Sequence, residues 1–106
     1  MLVVNRFRVP VDEGGAFRVA LQEALDALAE RPGHLGGTIG RNVDDPTLWV
    51  LTTRWEHVGA YRRALSAYDV KLRAVPLLSR ALDEPSAYEV VEPGTVLNTE
   101  STRSIT

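Results

Sequence analysis

Hydrophobic periodicity along this chain changes in a fixed order. It has period two, then a helical period, then period two twice in succession, then helical again, then period two once more. Few folds accept that order. Residues 2–9 (Leu-Val-Val-Asn-Arg-Phe-Arg-Val) are rich in β-branched residues and end at Pro10, which predicts a first strand. Asp12 and Glu13 suit a helix start, and Phe17, Leu21, Ala24, Leu25 and Leu28 recur at helical spacing until Pro32-Gly33. Residues 35–43 predict a second strand. Its Gly36, Gly37 and Gly40 anticipate a bulge or a close approach by another group. Asn42 to Pro46 is turn chemistry, and residues 48–55 predict a third strand that forms a hairpin with the second. From Glu56, the residues Val58, Tyr61, Leu65, Tyr68, Leu72 and Val75 make one apolar stripe that Pro76 ends. Leu77 to Leu82 allows one more helical turn, residues 87–92 predict a fourth strand, and residues 93–106 read as a tail or an arm lying on a partner.

The order β-α-β-β-α-β is the ferredoxin-like pattern, an α+β fold with a four-stranded antiparallel sheet. Right-handed crossovers put both helices on one face of the sheet. The sheet's other face would carry Leu2, Val4, Arg6 and Arg8 from strand one and Leu48, Val50, Thr52 and Arg54 from strand three. A patch so apolar marks an interface, and a second copy packed sheet to sheet would bury it. Glu89 or Glu92 would then pair with Arg6, Arg8 or Arg54. At 106 residues the chain supports one domain, assigned to 1–92, with 93–106 as the tail.

Composition removes several function classes. With no cysteine, disulfides, zinc ribbons, iron–sulfur clusters and thiol nucleophiles are absent together, and a reducing cytoplasm suits the chain. His34 and His57 fall in different elements, so no metal-ligand spacing arises. Gly36-Gly37-Thr38-Ile39-Gly40 lies inside a strand and not after one, so it is no phosphate loop. RNA-recognition domains share the element order, but they need exposed aromatics on a basic sheet face, and the net charge here is -2. No targeting segment, membrane-spanning run or internal repeat is expected.

The run Leu48-Trp49-Val50-Leu51-Thr52-Thr53-Arg54-Trp55-Glu56, followed by Ala60-Tyr61, resembles the antibiotic biosynthesis monooxygenase family. So does Arg31-Pro32-Gly33-His34-Leu35-Gly36 before the second strand, together with the opening Val-Asn-Arg. The resemblance covers residues 1–92. It implies a homodimeric α+β barrel with a pocket between sheet and helices in each subunit. One branch of the family forms quinones with dioxygen and no cofactor; another degrades haem.

The resemblance makes Trp55 and Tyr61 match pocket residues of the quinone-forming branch. Arg73 matches that branch's helix-borne arginine across a short gap, and its strand-three asparagine falls on Leu51. Asn5 matches the first-strand asparagine of the haem branch, whose ligand histidine falls near Ala74 and whose tryptophan falls on Ala64. The expected activity is cofactor-independent oxidation of a small aromatic, polyketide-like or quinol-type compound. A ligand-binding or stress-related member without turnover is the alternative, and haem degradation comes third.

Asn5, Trp55 and Tyr61 are then candidate donors for developing negative charge, and Arg73 a countercharge. Phe7, Leu51, Tyr68 and His57 are candidate pocket residues, with His57 or His34 available as a base. Each has a plainer role as well. Trp55, Tyr61 and Tyr68 can serve as core, and His57 can sit on the surface of a first helical turn. A buried amide at Asn5 needs a partner in any case.

Overall fold

In the computed structural model, residues 1–97 are described. The strands are β1 (Leu2–Arg8), β2 (His34–Arg41), β3 (Leu48–Trp55) and a short β4 (Ala87–Tyr88). Their order in the sheet is β2-β3-β1-β4, and every pairing is antiparallel. All the helices pack on one face, as the crossover rule requires. The ferredoxin-like α+β expectation therefore holds.

A short 3-10 turn (Val11–Glu13) leads into α1 (Gly14–Ala29). Phe17, Leu21, Ala24 and Leu28 of α1 are buried, the stripe that helical spacing requires. Phe17 meets Phe7 at 5.2 Å and Trp49 at 5.5 Å between ring centroids, which fixes α1 across β1 and β3. Near the other end of α1, Leu25 lies so close over Gly37 that a side chain there would overlap it. The register also shifts between His34 and Gly36. Both expected reasons for glycines in β2 are thus met.

The β2–β3 turn is built from side chains. Asn42 Oδ1 accepts from the backbone N–H groups of Asp44 (2.9 Å) and Asp45 (2.8 Å), and Asp45 Oδ1 accepts from the Thr47 hydroxyl at 2.6 Å. Arg8 reaches across to Asp45 Oδ2 at 2.9 Å.

The second helical region departs from expectation. It is three helices, α2 (Val58–Ser66), α3 (Tyr68–Arg73) and α4 (Val75–Leu78), with Ala67 extended at φ -69° and ψ 138° between the first two. The break resets the helical phase. The buried residues are Ala60, Ala64, Val70, Ala74 and Leu77, whereas Tyr68 is 77% and Leu72 60% exposed. Pro76 does not end the region; it occupies the first turn of α4, where its missing N–H costs nothing.

Strand four is also shorter than 87–92. Leu2 pairs with Tyr88 and Val3 with Ala87, and residues 89–97 run on in the open with Val90, Val91, Val96 and Leu97 exposed. The remainder of the expected tail, 98–106, lies outside the described residues. The sheet's second face is uncovered by any described element of the chain, and Leu2, Val4, Leu48 and Val50 on it are half-buried. Two of its arginines hold acids within the chain. Arg6 pairs with Glu84 and Arg8 with Asp45.

Candidate functional site

Alternation along β1 turns Val3, Asn5 and Phe7 toward the helices, opposite Thr53, Leu51 and Trp49 of β3. Every one of these except Asn5 is buried. Asn5 is half-buried, and its carboxamide makes no side-chain hydrogen bond among the described residues. It lies on a cleft of about 380 Å³ between β1 and the chain that follows α4, lined also by Leu78, Ser79, Ala81 and Leu82. That size accommodates a small organic ligand.

One end of the cleft is held by an ion pair. Arg6 Nε donates to Glu84 Oε2 at 3.0 Å and Arg6 Nη2 to Oε1 at 2.8 Å, a two-point grip that fixes the Asp83–Ser86 run against β1. The hydrogen bond from Arg6 holds the Glu84 carboxyl below the usual glutamate range. Sequence reasoning missed Glu84. The Asp83-Glu84-Pro85 run just before strand four was the available signal.

Trp55 and Tyr61 are elsewhere. Trp55 lies four residues beyond Leu51 on β3, roughly 13 Å along the strand. It is fully buried, edge-on to His34 at 5.1 Å and tilted against Tyr61 at 5.5 Å. Its Nε1–H donates to the buried Thr53 hydroxyl at 2.9 Å, so it is not a free donor. Burial pushes the Tyr61 phenol up, which keeps it protonated. Burial, and secondarily Arg54, pushes His34 down, and its enclosed Nε2 has no partner among the described residues. His57 is exposed and caps α2, where its Nδ1 accepts from the Ala60 N–H at 3.1 Å.

The other candidates disperse further. Phe7 and Leu51 fill the core beside Asn5. Tyr68 opens α3 and faces outward. Arg73 lies on the outer side of the helices, donating to Asp69 (2.8 Å), Glu30 (3.1 Å) and Glu23 (3.3 Å). It therefore clamps α3 to α1 and does not join Asn5, Trp55 or Tyr61. Among the described residues no group of three or more His, Asp or Glu is placed to hold a metal ion, and no helix is long and apolar enough to cross a membrane.

The family model for antibiotic biosynthesis monooxygenases matches residues 1–71. A search of curated proteins gives no match. Among solved structures, the chain is similar to SnoaB, a cofactor-independent oxygenase from Streptomyces nogalater, at 23% identity and a TM-score of 0.68, covering 89% of this chain and 96% of that one. It is similar to Rv0793 from Mycobacterium tuberculosis at 16% identity and a TM-score of 0.68, covering 89% and 97%. A candidate antibiotic biosynthesis monooxygenase from Deinococcus radiodurans gives 18% identity and a TM-score of 0.70, covering 92% and 100%. At these identities the likeness is one of fold.

Proposed function

The chain belongs to the antibiotic biosynthesis monooxygenase family, and on that premise we propose that it is a cofactor-independent monooxygenase acting on a small aromatic, polyketide-like or quinol-type compound. The observation that carries the reading is the unpartnered Asn5 carboxamide on a cleft of about 380 Å³. In such chemistry the activated substrate does most of the work. An acidic methylene flanked by aromatic rings loses a proton, and the carbanion passes one electron to dioxygen. The radical pair combines into a peroxide, which takes up the proton and loses water to leave a ketone. One methylene and one dioxygen thus become one carbonyl and one water. The protein's share is to exclude water and to donate hydrogen bonds where oxygen charge develops. Asn5 is the donor for that task, and Leu78, Ala81 and Leu82 supply the apolar wall.

Oxygen uptake with a panel of anthrones and hydroquinones tests this. Turnover that falls at least tenfold in Asn5→Leu, with the fold intact by circular dichroism, is the expected result. No uptake with any member of the panel would overturn it. A second reading, a ligand binder without turnover, is favoured by one observation. Leu51, directly across from Asn5, is fully buried and offers no second donor. Under that reading the same compounds bind but consume no oxygen.

The proposal extends to assembly. Family members are usually dimeric, and a second copy is the partner for the uncovered sheet face. Half-buried Leu2, Val4, Leu48 and Val50 support this, as does Arg54, which has no acidic partner among the described residues. The exposed apolar run after Tyr88 is the arm that would lie on that copy. Sedimentation should give a dimer at micromolar concentration and a monomer for Val50→Glu. A wild-type monomer there would remove this part of the proposal. A cytoplasmic setting belongs to the same reading, since a cysteine-free chain suits a reducing compartment.

A further inference from the structure

A different cleft, of about 450 Å³, opens where the start of α1 meets the ends of β2 and β3. Val11, Gly14, Gly15, Ile39, Gly40 and Trp49 line it, and Arg18 from α1 and Arg41 from β2 complete it. No acidic residue is among its walls. Asp12 and Glu13 lie beside it in the sequence, but both are exposed and neither lines it. Arg6, Arg8 and Arg73 each hold carboxylates, whereas Arg18 and Arg41 have no carboxylate partner among the described residues. Two uncompensated guanidinium groups thus share one concave space, on a chain whose net charge is -2.

Trp49 supplies an independent observation. It is 7% exposed, and its indole N–H is buried with no acceptor among the described residues. A buried donor without a partner is uncommon and costs stability. The Arg41 guanidinium lies over the same ring, 5.6 Å from its centroid. Arg41 thus takes the face of the ring, while the N–H on its edge is left for an acceptor that a ligand would bring. At Gly15 nothing lies within 4 Å of where a side chain would begin, which leaves the backbone open to a ligand in the cleft.

We propose that this cleft binds a small oxyanion, the phosphate or carboxylate group of a small molecule, between Arg18 and Arg41 against Trp49. Both groups accept two-point hydrogen bonds from guanidinium. The site is separate from the Asn5 cleft and does not depend on the oxygenase reading.

The test is calorimetric titration of the full chain at low ionic strength with two probes, inorganic phosphate and benzoate, while tryptophan emission is followed. Binding of either probe, with a change in emission, is expected. Phosphate binding alone would assign phosphorylated ligands, and benzoate alone carboxylated ones. Loss of either arginine's charge-assisted contact, in Arg18→Ala or Arg41→Ala, should weaken binding about tenfold. The double variant should abolish it, while Arg62→Ala, on the exposed side of α2, should bind as the wild type does. Failure of both probes to bind at millimolar concentration would overturn the proposal. So would binding that survives in the double variant.

Discussion

The indole N–H of Trp55 donates to the hydroxyl of Thr53, 2.9 Å away and two residues earlier on the same strand, with both groups buried. The pair turns a polar tryptophan into a core residue. Replacing Thr53 with valine keeps the shape but leaves the indole N–H without an acceptor. That should cost about 1–3 kcal/mol of stability, read as a lower denaturant midpoint at unchanged slope. If Trp55 is core and not a donor to substrate, oxygen uptake in this variant changes little once the protein is folded.

Gly33 has φ +89°, and a side chain there would place its Cβ 2.5 Å from the Cβ of Ala60. Its carbonyl also accepts from the Glu56 N–H at 2.9 Å, tying the start of β2 to the end of β3. Gly33→Ala therefore meets both a left-handed backbone and an overlap with α2. A loss of about 2–4 kcal/mol is expected in thermal or chemical unfolding.

Two groups make stability depend on pH in the same direction. Hydrogen bonds from Thr47, with further help from Arg8, lower the Asp45 carboxyl from 3.8 to about 2. The folded state thus holds the carboxylate more firmly than the unfolded chain. That contribution is complete above the ordinary value and is lost as pH falls from 3.8 toward 2. Burial and Arg54 lower His34 below 6.5, so folding disfavours its protonated form. Stability from this source is complete above 6.5 and declines as pH falls below that value. Carboxyl and imidazole titrations by NMR should give an Asp45 midpoint near 2, rising in Arg8→Ala, and a His34 midpoint below 6.5.

Arg73 bridges α1 and α3 through Glu23, Glu30 and Asp69. Arg73→Met should speed amide exchange in α3 relative to β1 and β3. The difference between variant and wild type should shrink in high salt, because the pairs are exposed and screened. Oxygen uptake should persist, since Arg73 is not on the Asn5 cleft. A collapse of turnover with α3 exchange unchanged would return Arg73 to the reaction.

The first three strands were legible because alternation and turn residues act locally, whereas the fourth ends at Tyr88 and not at 92. Residues 48–55 carry both signals, and β3 spans Leu48–Trp55. The ladder of helical residues from Val58 to Val75 departs from the structure for a physical reason. Periodicity assumes a continuous helix, and one extended residue at Ala67 rotates α3 and α4 out of phase with α2. Buried alanines at 60, 64 and 74 gave no hydrophobic signal strong enough to compete with exposed Tyr68 and Leu72. The site suffered similarly. Asn5 was legible as an amide on a core-facing position, but its cleft depends on where residues 78–86 return, which no local pattern encodes. Arg73 was singled out by resemblance alone, and three carboxylates hold it on the outer side of the helices.

That break at Ala67 also divides the helical wall into two parts. A wall made from one long helix moves as a unit, so a substitution at any turn is felt along its length. Here α2 faces the Trp55 corner, while α3 and α4 lead into the run that borders Asn5. The two sides of the joint meet different neighbours, although both pack into one core. A substitution in the run after α4 thus reaches the mouth of the Asn5 cleft without touching the Trp55–Tyr61 contact directly.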